Sequence, residues 1–228
     1  MRRIVFIVLA ALGTLALIAL GVWQLERREW KLALIDRVEQ RVHGAPVPAP
    51  GPDAWAALNR ENSEYLHVTV TGRFLDDRET RVRAVTALGG GFWVMAPLRT
   101  ATGFIVLVNR GFVAPEKRDP ASRPDADSRV TITGLLRITE PQGAFLRRNA
   151  PRENRWYSRD VNAIGQSQGL TRMAPYFIDA DAAPRAHGAP VGGLTVIAFH
   201  NNHLVYAITW FTLALLMAGL GVRIARHA

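Results

Sequence analysis

Residues 4–25, with the sequence IVFIVLAALGTLALIALGVWQL, decide the fold class, because they contain no Asp, Glu, Lys or Arg. A stretch of this length matches the roughly 20 apolar residues that a helix needs to cross a bilayer. A cleaved signal peptide is the competing interpretation. Its apolar region is typically only about 7–15 residues long, however, and no A-x-A-like cleavage site follows here. The sequence therefore predicts a transmembrane helix over residues 4–25.

A second uncharged stretch, LVYAITWFTLALLMAGLGV at residues 204–222, lies near the other end of the chain and is followed by Arg223 and Arg226. Its length also suits a membrane span that is closed by interfacial cations. We therefore predict a second transmembrane helix over residues 203–222, followed by a short cytoplasmic tail at residues 223–228.

Two spans place both termini on one side of the membrane. The basic residues at positions 2–3 and 223–226 mark that side as cytoplasmic under the positive-inside rule. Four cations after the first span argue the other way, but long loops translocate largely regardless of charge: Arg27, Arg28, Lys31 and Arg37. The sequence therefore predicts a multi-pass protein of a bacterial-type inner (cell) membrane, with its central domain on the extracytoplasmic (periplasmic) side.

Composition excludes several functional classes. The chain has no cysteine, which rules out disulfides and thiolate metal sites. Its net charge of +9 is spread along the chain without a dense basic run, so nucleic acid is not an expected partner. The motifs G-x-S-x-G and H-E-x-x-H are absent, and the central carboxylates lie mainly in predicted loops. We therefore expect a protein that is not an enzyme.

The middle of the chain changes from helical to alternating periodicity. Good helix formers predict a juxtamembrane helix over residues 26–44, and the prolines of residues 45–54 predict a semi-rigid linker. Beyond the linker, residues 55–200 predict one antiparallel, β-barrel-like domain with a short helix near residues 159–168. Strands are predicted at residues 66–74, 81–84, 92–98, 104–108, 130–138, 156–158, 176–178 and 194–199. The predicted fold is an integral membrane α+β protein.

Two polar stripes lie where the predicted spans leave the membrane. On the second helix, the i, i+3, i+4, i+7 spacing puts His203, Tyr206, Ala207 and Trp210 on one face. The first helix carries a cationic stripe at the same spacing, beside Trp23: Gln24, Arg27, Arg28 and Lys31. Two interpretations fit these stripes. They form a haem site with an axial histidine and propionate-pairing cations, or an aromatic belt with juxtamembrane charges that sets helix depth.

Motifs along nearly the whole chain resemble the surfeit locus protein one family. They are Gly21-Val-Trp23-Gln24-Leu-Glu-Arg27, Pro97-Leu98, Val108-Asn109-Arg110-Gly111-Phe112-Val113, Gly134-Leu-Leu-Arg137, Asn149-Ala-Pro151, Trp156-Tyr157 and Asn202-His203-Leu-Val-Tyr206-Ala-Ile-Thr-Trp210-Phe211. Phe112 stands where many members carry Trp. From the residues alone, Asn109-Arg110-Gly111 is interpreted as a tight turn with Arg110 paired to a nearby carboxylate.

The resemblance implies an assembly factor for haem-copper cytochrome c oxidase, which binds haem a and assists its insertion into the catalytic subunit. It also implies that His203 is the axial ligand of the haem iron. Helix spacing adds five further cofactor contacts: Trp23, Gln24, Arg27, Tyr206 and Trp210. The expected partners are the oxidase catalytic subunit, the lipid bilayer and a haem a synthase. The alternative function is a haem-free membrane scaffold that stabilises an oxidase assembly intermediate through protein contacts.

Overall fold

The computed structural model describes residues 2–117, 129–141, 143, 147–182, 190–197 and 199–226. The described residues divide into two compact units, one drawn from residues 1–37 and 197–228 and the other from residues 38–196. The helices are α1 (Arg2–His43), α2 (Arg60–Ser63), α3 (Val161–Ser167) and α4 (His203–Arg226). The strands are β1 (Val47–Pro48), β2 (His67–Phe74), β3 (Thr80–Thr86), β4 (Gly89–Thr100), β5 (Ile105–Val113), β6 (Val130–Ile138) and β7 (Met173–Ala180).

The first unit contains most of α1 and all of α4, which are both long and apolar enough to span a membrane. Their most apolar windows have mean hydropathies of 2.7 and 1.9, and only 6% and 11% of those windows is buried within the protein. A soluble domain rarely exposes so much continuous apolar surface. The two helices are therefore compatible with a membrane protein, as the sequence predicts.

Helix α1 runs without a break from the apolar segment through the predicted juxtamembrane segment to His43. It contains no proline, and Gly44 and Pro46 follow its last residue. Within the apolar part, the Thr14 hydroxyl donates to the Ala10 carbonyl at 2.8 Å, which satisfies the only side-chain hydroxyl there. The sequence-predicted helices at residues 4–25 and 26–44 thus form one element.

The second unit is a barrel. Its sheet order is β1-β2-β6-β7-β5-β4-β3, and an added pairing of β2 with β4 closes a ring of β2, β6, β7, β5 and β4. Gly72 lies where β2 pairs with both neighbours, opposite Val130 and Thr100. A Cβ at this position would collide with the backbone of Arg99, so glycine permits the strand to close the ring.

The alternating pattern of the sequence predicts the barrel interior correctly. Val68 and Val70 of β2 are buried and pack with residues of four other strands, among them Leu98, Leu136 and Tyr176. A second cluster lies beneath α3 and includes Trp156, which is 2% exposed. The β-barrel-like domain is therefore confirmed, with a core that continues beyond the ring to α3.

Three sequence predictions for this domain are wrong. The sheet is not wholly antiparallel, because β5 and β7 pair in parallel. A parallel pair requires a long crossover, and the chain makes it through β6 and α3. Residues 156–158 contain only a single bridge, from Trp156 to Val82. No strand forms in residues 194–197 or at Phe199, and Ala198 lies outside the described residues.

The Pro-rich segment, predicted as a semi-rigid linker, makes specific contacts within the barrel domain. Val47 and Pro48 form β1, which pairs in parallel with β2, and the residues that follow form the 3-10 helix Pro52–Ala57. The Pro50 carbonyl accepts hydrogen bonds from Trp55 Nε1 at 3.1 Å and from the buried Tyr176 hydroxyl at 2.7 Å. Proline still exposes a strong carbonyl acceptor, so a Pro-rich segment can be fixed by donors from elsewhere in the chain.

Candidate functional site

Small residues bring α1 and α4 close together. Ala207 is fully buried and Ala214 is 4% exposed, although both lie in an apolar helix whose other faces are open. Gly21 of α1 faces the ring of Phe211, and Gly13 faces Met217 so closely that neither glycine has room for a Cβ. Close approach of backbones at small residues is a common basis of helix packing in membranes. The contacts run in opposite directions along the two helices, which are therefore antiparallel.

This packing places His203 beside Gln24. His203 is the first residue of α4, is half-buried, and its Nδ1 lies 2.8 Å from Oε1 of Gln24. Because the amide oxygen is an acceptor, Nδ1 carries the proton in this hydrogen bond. In the neutral imidazole, Nε2 is then the nitrogen that keeps a lone pair. Outer hydrogen bonds of this kind fix the tautomer and orientation of metal-binding histidines.

The predicted stripe of α1 divides into two parts. Gln24 contacts His203, and the ammonium of Lys31 lies 5.5 Å from the ring centroid of Phe199, just before α4. Arg27 instead lies over Trp30, with its Cζ 4.1 Å from the ring centroid, and is exposed. The structure therefore brings Gln24 to the predicted histidine, whereas Arg27 stands on the open surface of α1.

The aromatic residues of the predicted site are also divided. Trp23 and Tyr206 are 53% and 54% exposed, whereas Trp210 is half-buried. Ala207, predicted to share their face, is fully buried. The two helices thus offer exposed aromatic surface at Trp23 and Tyr206, and a half-buried imidazole at His203. The residues present thus suit a haem with one axial histidine.

The barrel contains a second, denser polar cluster. Asp179 is 4% exposed and accepts hydrogen bonds from Arg137 Nη1 at 2.7 Å, Arg159 Nη1 at 3.0 Å, Asn109 Nδ2 at 2.8 Å and Thr195 Oγ1 at 3.0 Å. Both carboxylate oxygens of Asp179 therefore accept hydrogen bonds from protein donors. A carboxylate that is saturated in this way stabilises a structure and has no free oxygen to offer a ligand.

Two more carboxylates complete this cluster. Glu64 accepts from Arg137 Nε at 2.8 Å and from the Ile138 amide at 2.9 Å, and Glu140 pairs with Arg159. Burial works against the charge on Arg137, but attraction to Asp179 and bonding to Glu64 outweigh it, so the pKa of Arg137 lies above its ordinary value. Arg137 therefore stays charged, and both guanidiniums are paired with carboxylates inside the domain.

A sequence model of the SURF1 family matches residues 11–215, which include most of both apolar helices and the whole barrel. The chain belongs to the SURF1 family. Surfeit locus protein 1 of Mus musculus is 34% identical over 212 residues, covering 85% of this chain and 67% of the mouse protein. The Homo sapiens protein is 35% identical over 214 residues, covering 86% and 69%. A SURF1-like protein of Monosiga brevicollis is 35% identical over 222 residues, covering 91% and 82%.

SURF1 proteins are known as cytochrome c oxidase assembly factors, which suggests a non-catalytic role for this chain. Several motifs that the sequence shares with the family serve the barrel. Asn109 and Arg137 belong to the Asp179 cluster. Asn149 holds Trp156-Tyr157 in place, because its Oδ1 accepts from the Tyr157 amide at 2.8 Å. These SURF1 motifs are therefore structural elements of the domain.

The interpretation of Asn109-Arg110-Gly111 is correct for the ion pair and wrong for the turn. Arg110 Nη1 lies 3.2 Å from Glu79 Oε1, as predicted. The three residues lie within β5 and not at a strand end. Gly111 has a φ of 128°, and a Cβ there would collide with Val191, whose backbone pairs with Phe112. The glycine serves this close strand-to-loop contact.

Sequence reasoning missed the Asp179 cluster. A signal for it is present, because Arg137 stands within an otherwise apolar stretch of a predicted strand and Asp179 directly follows another predicted strand. A charge at such a position requires a buried partner of opposite sign. Among the described residues, no group of three or more His, Asp or Glu side chains is arranged to hold a metal ion. A single axial histidine is a different kind of site.

Proposed function

We propose that this SURF1-family chain is a membrane assembly factor that binds haem a and assists its insertion into the catalytic subunit of a haem-copper cytochrome c oxidase. The observation that carries the proposal is the hydrogen bond between His203 Nδ1 and Gln24 Oε1, at 2.8 Å. It joins the two apolar helices at one polar contact and leaves the second ring nitrogen, Nε2, as the group that can coordinate iron.

Each predicted site residue has a role in this proposal. When bound, haem a would supply an iron centre that the His203 imidazole could coordinate. Gln24 orients the His203 ring, Trp23 and Tyr206 offer exposed flat surfaces, and the half-buried Trp210 adds a third aromatic side chain. Arg27 and Lys31 are the cations of this region that suit propionate carboxylates. Arg27 would leave Trp30 to make such a contact.

The membrane arrangement is part of the same proposal. Both termini lie in the cytoplasm, and the barrel lies on the extracytoplasmic side of the inner membrane. This arrangement would place His203 at the level of the lipid headgroups, where α4 begins. The proposed partners are the oxidase catalytic subunit, which receives the haem, and a haem a synthase, which supplies it.

The decisive experiment is a haem a titration of the purified full-length chain in detergent, followed by absorbance and the pyridine haemochrome assay. We expect near-stoichiometric haem a on the wild type and its loss from His203→Ala. His200→Ala is the matched control, because His200 is exposed and lies outside α4. Gln24→Leu should retain haem with a shifted Soret band and weaker affinity, because Nδ1 then lacks its acceptor.

The opposite result has a definite meaning. A wild-type chain that stays colourless when co-expressed with the haem a biosynthetic enzymes would refute haem binding. That result would support the scaffold interpretation, in which the helices and barrel act through protein contacts alone. Equal loss of haem from His200→Ala and His203→Ala would refute the assignment of His203 as the axial ligand.

A further inference from the structure

A cleft of about 760 Å³ opens on the barrel beside the hairpin that joins β3 to β4. Its walls include Arg83, Val85 and Gly90 of the hairpin, together with Arg147 and Tyr157. Val85 is 89% exposed, and Leu88 at the hairpin tip is 57% exposed. The cleft therefore combines two cations with apolar surface that does not belong to either core cluster.

The two arginines of the cleft converge on one ring. The Cζ atoms of Arg83 and Arg147 lie 6.0 Å and 5.6 Å from the ring centroid of Tyr157. Within the part of the chain that the structure describes, neither guanidinium contacts a carboxylate, in contrast to Arg137 and Arg159. Two guanidiniums beside one ring form a local cationic patch, and a bound anion would offset their charge. Guanidinium groups are especially suited to bidentate bonding with carboxylates.

The platform beneath the arginines is rigid. Asn149 Oδ1 accepts from the amides of Tyr157 at 2.8 Å and Ser158 at 3.1 Å, and its Nδ2 donates to Ser158 Oγ at 3.0 Å. The neighbouring Trp156 is 2% exposed in the second core cluster. Tyr157 is thus held by a buried neighbour and a three-bond clamp, so the site exists before any ligand arrives.

The cleft also borders an open strand edge. Strand β3 is last in the sheet order, and among the described residues only Trp156 pairs with its outer side. The Arg83 amide donates outward to the Trp156 carbonyl at 2.9 Å. Because outward-facing groups recur every second residue, the N–H and C=O of Val85 also point to this open side. Residues 84–86 therefore offer a short edge to which an extended segment can add.

We propose that this cleft binds an extended acidic segment of a partner protein, which pairs with β3 at residues 84–86 and places carboxylates on Arg83 and Arg147. A free organic anion would use the guanidiniums only, and would leave the strand edge and the apolar surface of Val85 and Leu88 uncovered. The inference goes beyond haem binding, because every residue of the cleft lies in the barrel domain and none belongs to α1 or α4.

The absence of cysteine permits a specific optical test. The full-length chain in detergent would carry a single Leu88→Cys substitution, labelled with an environment-sensitive fluorophore at the hairpin tip. The probe is a peptide of alternating Glu and Val with blocked ends. We expect saturable binding that weakens about tenfold or more in Arg83→Gln/Arg147→Gln, because charge-assisted hydrogen bonds are lost. Arg60→Gln/Arg152→Gln removes the same charge at exposed positions outside the cleft, and should bind as the unsubstituted chain does.

A second pair of variants does not depend on the arginines. Val85→Glu adds to the cleft a negative charge that repels the acidic peptide, at an 89% exposed position. Val196→Glu adds the same charge outside the cleft, at an 82% exposed position. The first should weaken peptide binding about tenfold, and the second should leave it unchanged. Neither arginine substitution should alter the haem a spectrum, so failure of this proposal is distinguishable from failure of the haem proposal.

Four outcomes would overturn the proposal. They are no saturable binding, equal affinity for a peptide with Gln in place of Glu, equal affinity in the Arg83→Gln/Arg147→Gln variant, and competition by citrate at the same concentration as the peptide. The last would assign the cleft to small anions. Undiminished binding of a peptide N-methylated at alternate residues would refute the pairing with β3, because N-methylation removes the strand donors.

Discussion

Two polar groups of this chain, His203 in the helix pair and Asp179 in the barrel, are held in opposite ways. His203 is half-buried and makes one side-chain hydrogen bond, through Nδ1 to Gln24, which leaves its second ring nitrogen without a side-chain partner among the described residues. Asp179 is 4% exposed and accepts from four different side chains. A saturated group holds a fold together, whereas a group that is oriented but not saturated can receive a ligand.

The difference follows from the surroundings of each group. In the barrel, a buried carboxylate is tolerated only when donors replace the water it has lost. At the start of α4, His203 is only half-buried, so one hydrogen bond is enough to hold its ring. The comparison predicts that changes in the barrel cluster act on stability, and that changes at the helix contact act on binding.

The largest effect should come from Asp179→Ala. Removing this carboxylate leaves Arg137 and Arg159 without their shared partner, and breaking a buried ion pair from one side costs about 3–5 kcal/mol. The free energy of unfolding, from denaturant titration of the full-length chain in detergent, should fall by about that amount. Asp53→Ala, at an exposed position, is the control and should change it by less than about 0.5 kcal/mol. A loss of unfolding free energy below about 1 kcal/mol in Asp179→Ala would contradict the stabilising role of the barrel cluster.

A smaller effect should come from the helix contact. Gly21→Ala introduces a Cβ that collides with Phe211, whereas Gly219→Ala introduces one that meets nothing within 4 Å. Both substitutions raise helix propensity equally. The difference in stability between the two variants therefore isolates the cost of overpacking, which is about 1–3 kcal/mol. Gly21 lies one turn from Gln24, and a displaced α1 lengthens the bond to His203. Gly21→Ala should therefore weaken haem a binding while Gly219→Ala does not. Equal haem affinity in both variants would contradict this coupling.

The sequence was sufficient for elements whose signal is local. The uncharged segments predicted both apolar helices. The alternation around Val68 and Val70 predicted strand β2 and the face of it that points into the barrel. His203 could be singled out because an ionisable residue at the mouth of a span requires a reason. Each of these inferences uses residues within a few positions of one another.

The features that sequence reasoning missed depend on distant residues. Arg137 lies 73 residues from Glu64 and 42 from Asp179, so no local pattern assigns these partners. Closure of the ring at Gly72 likewise depends on pairing with two strands at once. The Pro-rich segment was misassigned because composition does not reveal that Tyr176, 126 residues away, donates to the Pro50 carbonyl. Contacts at long sequence separation set the details that composition and periodicity leave open.

His67 is intermediate between Asp179, which accepts four hydrogen bonds, and His203, which makes one. Its substitution should have the smallest effect on the free energy of unfolding. Its Nδ1 lies 2.9 Å from the Gly44 carbonyl, just after α1 ends, and its Nε2 lies 3.0 Å from Asp181 Oδ2. Both partners are acceptors, so the doubly protonated ring satisfies both contacts. Burial opposes the charge, but the Gly44 carbonyl and the Asp181 carboxylate outweigh burial and raise the pKa of His67 above its ordinary value.

A raised pKa in the folded state has a definite consequence for stability. The contribution of His67 is fully present below the unfolded-state pKa, about 6.5, and is lost as the pH rises through the higher folded-state pKa. The difference in unfolding free energy between wild type and His67→Gln should therefore be largest near pH 6 and shrink toward pH 9. It should stay below about 1 kcal/mol, because Asp181 is half-exposed and the pair is screened by water. His43→Gln removes a more exposed histidine, paired with Glu39 at the end of α1, and supplies the baseline for the same titration. A difference that grows with pH would mean that His67 is held in its neutral form and would contradict the charged pairing with Asp181.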